Sequence, residues 1–130
     1  MYGAQTNNAS KTFTATAVAI PQYTRVMIDS SGLISAQTVK LAKNCIGVAQ
    51  EYIAASGRGT VKLIGGPGTY NMLAGAVVTV GNKLYLKAAG TVTPYYTAST
   101  IATGFIAYEA GNTGAVIECL RYGAEGTTAE

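Results

Sequence analysis

Arg25-Val26-Met27-Ile28-Asp29-Ser30-Ser31-Gly32-Leu33-Ile34-Ser35 returns in altered letters as Lys83-Leu84-Tyr85-Leu86-Lys87-Ala88-Ala89-Gly90-Thr91-Val92-Thr93. The correspondence continues as Ile46-Gly47-Val48-Ala49 against Thr103-Gly104-Phe105-Ile106, then Gly59-Thr60-Val61 against Gly114-Ala115-Val116. Read this way, the offset drifts from 58 to 57 to 55 residues, as expected if loops between strands lost length. What recurs is a pattern of strands and turn glycines, without a shared nucleophile, acid or ligand. That points to a scaffold rather than to an enzyme.

Each copy has a readable physical basis. Val26 and Ile28 alternate with Met27, and Leu84 and Leu86 with Tyr85, so each set points to one face of a strand of period two. The apolar runs stop at Asp29-Ser30-Ser31-Gly32 and Lys87-Ala88-Ala89-Gly90. A short stretch closed by Gly suits a tight hairpin, because Gly takes positive φ without a Cβ clash. The chain resumes as strand at Leu33-Ile34 and Thr91-Val92. The pattern predicts an all-β, compact barrel- or sandwich-like domain with two pseudo-repeats, at about 23–63 and 81–120.

A chain of 130 residues supports one domain and one modest core. Charged residues are only 12% of it, about half the usual share. A surface so poor in charge suggests that other protein covers part of it. The net charge of +3 comes from scattered Lys and Arg, with nothing denser than Lys40 and Lys43. The phosphate-tracking footprint of a nucleic-acid binder is therefore missing. Met1-Tyr2-Gly3-Ala4-Gln5-Thr6 has neither the charged nor the apolar part of a secretory signal, and no run approaches the ~20 apolar residues of a membrane span. Cys45 and Cys119 accordingly read as reduced, strand-borne small hydrophobes.

Along the chain, residues 1–20 read as an N-terminal arm or strand, 21–123 as the β domain and 124–130 as a loose acidic tail. Ser10 to Ile20 alternates Thr with Phe and Ala, a long strand pattern with an edge open to pairing. Pro21 ends it. Ala76-Val77-Val78-Thr79-Val80 reads as a further strand and Ala115 to Tyr122 as the last one. Short helical turns are expected only around Ser35 to Leu41 and Glu51 to Ala55.

The chain has no His, which removes His-activated nucleophiles, His general bases and His metal sites together. Glu51 and Glu109, each following an equivalent glycine, could be imagined as a paired-carboxylate site; solvated loop carboxylates are the simpler reading. Gly65-Gly66-Pro67-Gly68 lacks the Lys-Ser/Thr and the helix of a phosphate loop. No catalytic residue, cofactor or metal is expected. Nine Tyr stand against two Phe, and amphipathic rings in loops suit protein interfaces. Tyr52, Tyr70, Tyr95 and Tyr96 fall in expected loops, and with Tyr2 and Phe13 they form the candidate contact set.

The succession Gly47-Val48-Ala49-Gln50, Gly59-Thr60-Val61-Lys62-Leu63, Leu73-Ala74-Gly75-Ala76-Val77, Val80-Gly81-Asn82-Lys83-Leu84-Tyr85 and Gly104-Phe105-Ile106-Ala107-Tyr108-Glu109-Ala110-Gly111 resembles small bacteriophage capsid-cement proteins. The resemblance covers about residues 23 to 121. It implies a structural decoration protein on the outer capsid surface of a tailed-phage virion, assembled in the host cytoplasm. It further implies a homotrimer at local three-fold axes that clamps neighbouring subunits of the major capsid protein, with no nucleic-acid or membrane partner. A tail- or fibre-associated β module that binds a receptor or glycan is the alternative.

Overall fold

The computed structural model describes residues 10–38, 45–65, 68–96 and 101–123. Ten strands carry the fold. These are β1 (Ser10–Ala15), β2 (Arg25–Ile28), β3 (Leu33–Ala36), β4 (Cys45–Ala49), β5 (Arg58–Leu63), β6 (Tyr70–Leu73), β7 (Lys83–Leu86), β8 (Val92–Thr93), β9 (Ile101–Ala107) and β10 (Val116–Arg121). One 3-10 turn, Ala88–Gly90, is the only helical element among the described residues, so the all-β reading holds.

The first five strands form a closed barrel in the order β1-β3-β2-β4-β5. The last five form a sheet in the order β6-β10-β9-β7-β8. The two ends of that sheet meet through a parallel bridge between Ala74 and Val92. In each unit a hairpin (β2–β3, β7–β8) is followed by an antiparallel meander, and a preceding strand runs antiparallel to the last strand. The repeat therefore includes β1 and β6, whose recurrence the letters conceal.

Backbone hydrogen bonds fix the correspondence better than letters do. Ala49 N–H donates to Thr24 O, and Ala107 N–H to Asn82 O. Gln50 N–H donates to Thr60 O, and Tyr108 N–H to Glu118 O. The bridge Ile20↔Ile53 recurs as Val78↔Gly111. Each pair lies 58 residues apart, at both ends of the chain. The drift to 55 is thus corrected: Gly114 matches Ser56, not Gly59, and the mate of Val61 is Cys119. Positive φ explains the error. Ser56 at 58° and Gly114 at 88° share one left-handed turn, as do Tyr23 at 64° and Gly81 at 88°. Matching glycine to glycine missed positions where another residue bears the same strain. The step to 57 is local, since β4 and β9 carry bulges of different length opposite β2 and β7.

Other expectations also change. The Thr-rich strand stops at Ala15: Thr16 N–H still donates to Ile34 O, but the chain then leaves the ladder and returns through the Ile20 bridge to Ile53. Its edges are largely taken: Ser10–Thr14 pairs with β5 and Thr14–Ala15 with β3, closing the barrel. Ala76 to Val80 is a connection in which Val78 is bridged to Gly111 and buried, while Val77 and Val80 face solvent. Instead of helical turns, Ser35–Ala36 belongs to β3, and Glu51 to Ala55 forms a loop pinned by Ile53. Residues 39–41 of the first expected turn, and the expected tail at 124–130, lie outside the described residues.

Two apolar clusters fill the interior. One holds Ala15, Ile20, Val26, Ile34, Ala49, Ile53 and Val61 inside the barrel. The other is built on Tyr70, Met72, Leu84, Phe105 and Ile117 of the second unit, and it also takes in Val48 from the first. That intrusion matters. Val48 points out of its own barrel, opposite to Ala49, yet is fully buried. The outer face of the first unit is thus covered by the second.

Candidate interaction surface

The acids have structural roles. Glu51 accepts the N–H of Thr60 at 3.0 Å, and Glu109 accepts the N–H of Glu118 at 2.8 Å. These are equivalent contacts in the two units, each carboxylate holding the strand nine residues on. Their recurrence follows from the turn geometry. Among the described residues no group of His, Cys, Asp and Glu could hold a metal. Neither cysteine forms a disulfide. Burial pushes the Cys119 thiol up from 9.0 to about 12, with Glu109 and Glu118 adding to the rise and Arg25 opposing it.

The candidate aromatics separate into inward and outward sets. Tyr70 is corrected from loop to strand: it opens β6 and is 1% exposed. Its ring meets Phe105 edge-on at 5.1 Å, and its hydroxyl donates to Leu63 O at 2.6 Å. A Tyr can be buried because its one polar atom finds a carbonyl. Phe13 is half-buried on β1, packed against the barrel cluster, with Lys11 Nζ 5.9 Å from its ring. Tyr52, Tyr95 and Tyr96 are exposed. Tyr2 lies outside the described residues.

Tyr96 is not isolated. It packs edge-on against Tyr85 at 5.9 Å, on the outward side of β7. On the same side Lys83 pairs with Ile106, and Ile106 with Leu120, so the three form a row across β7, β9 and β10. Tyr122 closes the row, with Lys83 Nζ 5.7 Å from its ring. Tyr122 is 50% exposed and Tyr96 53%, while Tyr85, Ile106 and Leu120 are half-buried. This gives one sheet face bearing aromatic and aliphatic groups around Lys83.

The letters alone did not single out Tyr85, Tyr122 or Ile106. Their signal lies in the repeat, for at 58 residues earlier stand Met27, Ile64 and Val48. Tyr108, Val77 and Val80 are further exposed apolar groups at loop ends of the second unit.

A solved structure shares this fold. The crystal structure of the head fiber gp8.5 N base in bacteriophage phi29 aligns with a TM-score of 0.65 at 18% identity. The alignment covers 85% of this chain and 92% of that one. No curated protein matches in sequence. The family described as phage cement protein matches residues 4–121, which takes in every described strand. By that match, together with a doubled β scaffold whose acids serve its own turns, this chain belongs to the phage cement proteins.

Proposed function

We propose that this phage structural protein binds the outer surface of a tailed-phage head, across neighbouring subunits of the major capsid protein, and stabilises the assembled shell. The observation that carries the reading is the family match over residues 4–121. The fold supports it: a barrel and a five-stranded sheet present outward faces and loop-borne Tyr, and Glu51 and Glu109 are engaged by backbone.

The mechanism is mass action. A protein that binds the assembled lattice and not its dissociated subunits adds its binding free energy to shell stability. That is about 2.7 kcal/mol per site at about a hundred times Kd. Many copies on one shell multiply the effect, and a multivalent unit spanning several subunits gains further from effective concentration. A homotrimer at local three-fold axes fits such bridging. Tyr52, Tyr95 and Tyr96 are the exposed candidates for contact, in keeping with the preference of interfaces for Tyr. The protein works without turnover or cofactor, on the virion surface that it reaches during head assembly in the host cytoplasm.

The test compares packaged heads with and without the protein, heated while DNA release is followed and occupancy is checked beforehand. Decorated heads release DNA at a higher temperature. Identical release curves would replace stabilisation with an external display or receptor-binding role.

A further inference from the structure

The two units are related by a simple shift, but their outer faces have different fates. In the first unit the row Arg25–Val48–Lys62 runs across β2, β4 and β5. Arg25 is 1% exposed and Val48 fully buried, because the second unit lies on them. Arg25 sits 5.8 Å from the Phe105 ring, Lys62 Nζ sits 4.3 Å from the Tyr70 ring, and Gly90 lies against the Arg25 backbone. Fifty-eight residues on, the same row is Lys83–Ile106–Leu120, in which Lys83 is exposed and Ile106 and Leu120 are half-buried among the described residues.

The covering surface is repeated as well. Gly90 has its mate in Gly32, with φ of 77° and 81°. A Cβ on Gly90 would lie 2.6 Å from the Arg25 carbonyl oxygen, whereas one on Gly32 meets nothing within 4 Å. Strand pairing matches β6 to β1 at 59 residues, so Tyr70 corresponds to exposed Lys11 and Met72 to half-buried Phe13. Among the described residues the first unit thus presents, at Gly32 and Lys11, an open counterpart of the surface with which the second unit covers it, with Phe13 packed beneath them against the barrel cluster.

We infer that the open row of one copy docks on the Gly32–Lys11–Phe13 surface of a second copy of this chain, head to tail, repeating the contact between the two units within the chain. Within the chain the cation (Lys62) is on the row and the ring (Tyr70) on the covering surface. Between copies the cation (Lys11) would be on the covering surface, while Leu120 and Tyr122 occupy the row where Lys62 and Ile64 stand. By this correspondence the Lys62–Tyr70 pair becomes Leu120–Lys11 and the Arg25–Phe105 pair becomes Lys83–Gly47, so the joint would set the Lys11 stem against Leu120 beside Tyr122. Such a contact joins two different patches, so successive copies continue into a closed ring or an open filament. This deepens the trimer part of the proposed function by naming its faces.

The experiment uses the whole chain, with mass followed by sedimentation in solution and symmetry read on decorated shells. Ile106→Lys spoils the row, and Tyr96→Asp is a second variant there. Gly32→Asn spoils the covering surface, since Asn tolerates positive φ and its Cβ has open space inside its own chain; Ser31→Arg is its second. Each variant alone is expected to weaken self-association at least about tenfold, as loss of a central contact does, while melting stays near that of the parent. An equal mixture of Ile106→Lys and Gly32→Asn should form a dimer and stop there, because one good joint remains and no second can form. The inference is overturned if the row variants dissociate the assembly while Gly32→Asn and Ser31→Arg leave it intact, or if the mixture stays monomeric. A parent protein that is monomeric both in solution and on shells overturns it too. Shell binding by such a monomer would leave the cement reading standing; a ring that never binds shells would do the reverse.

Discussion

Replacing Tyr70 by Ala tests whether this residue belongs to the core or to a contact surface. Tyr70 is 1% exposed and packs edge-on with Phe105 at 5.1 Å. Its hydroxyl donates to Leu63 O, and Lys62 Nζ lies over its ring. Truncating a large buried aromatic costs about 3–5 kcal/mol through lost transfer energy and the cavity left behind. The edge-on pair is included in that figure, since Phe105 loses its partner in the same cavity. For a domain of this size, about 4 kcal/mol lowers Tm by roughly 10–20 °C. Tyr70→Phe keeps the ring and forfeits the hydrogen bond alone, at about 1 kcal/mol, or a few degrees. The assay is thermal unfolding by near-ultraviolet circular dichroism at one fixed protein concentration, because assembly raises apparent stability by mass action. Tyr52→Ala is the reference, since Tyr52 is 64% exposed and its loss should change stability by less than about 0.5 kcal/mol. If Tyr70→Ala melts with the parent protein but fails to decorate heads, the assignment of Tyr70 to the core is wrong.

Three other outcomes follow from the geometry. Gly47→Ala should destabilise by at least about 2 kcal/mol in a urea titration, because its Cβ would lie 2.1 Å from the Lys62 carbonyl oxygen, a backbone atom held in the ladder. Glu51→Gln with Glu109→Gln should leave folding and shell binding intact, because an amide oxygen still accepts the strand N–H; the same pair changed to Ala should cost about 1 kcal/mol or more per site. Cys119 should resist alkylation at pH 8 in the folded protein. Its raised folded pKa means that its neutral form is favoured on folding, so its contribution is full below about 9 and is lost as pH rises toward about 12. Cys119→Val, the residue standing at the equivalent position 61, should make the alkaline fall in stability shallower.

The strand alternation of Val26 and Ile28 and of Leu84 and Leu86, with the hairpin ends at Gly32 and Gly90, was legible because period two and positive φ leave marks on the letters. The absence of His likewise narrowed the chemistry before any fold was known. Where the chain meets itself was not legible. Tyr23 and Ser56 hold left-handed turns that a glycine search passes over, and β1 and β6 share almost no letters because their likeness lies in which strands they join. Tyr70 reads as a loop ring until Leu63 O is seen to take its hydroxyl. Val48 and Ile106 are both aliphatic residues on an outward row, and one is buried while the other is half-open. Sequence fixes which way a side chain leaves its strand; only the packing of one unit against another decides whether water or protein waits there.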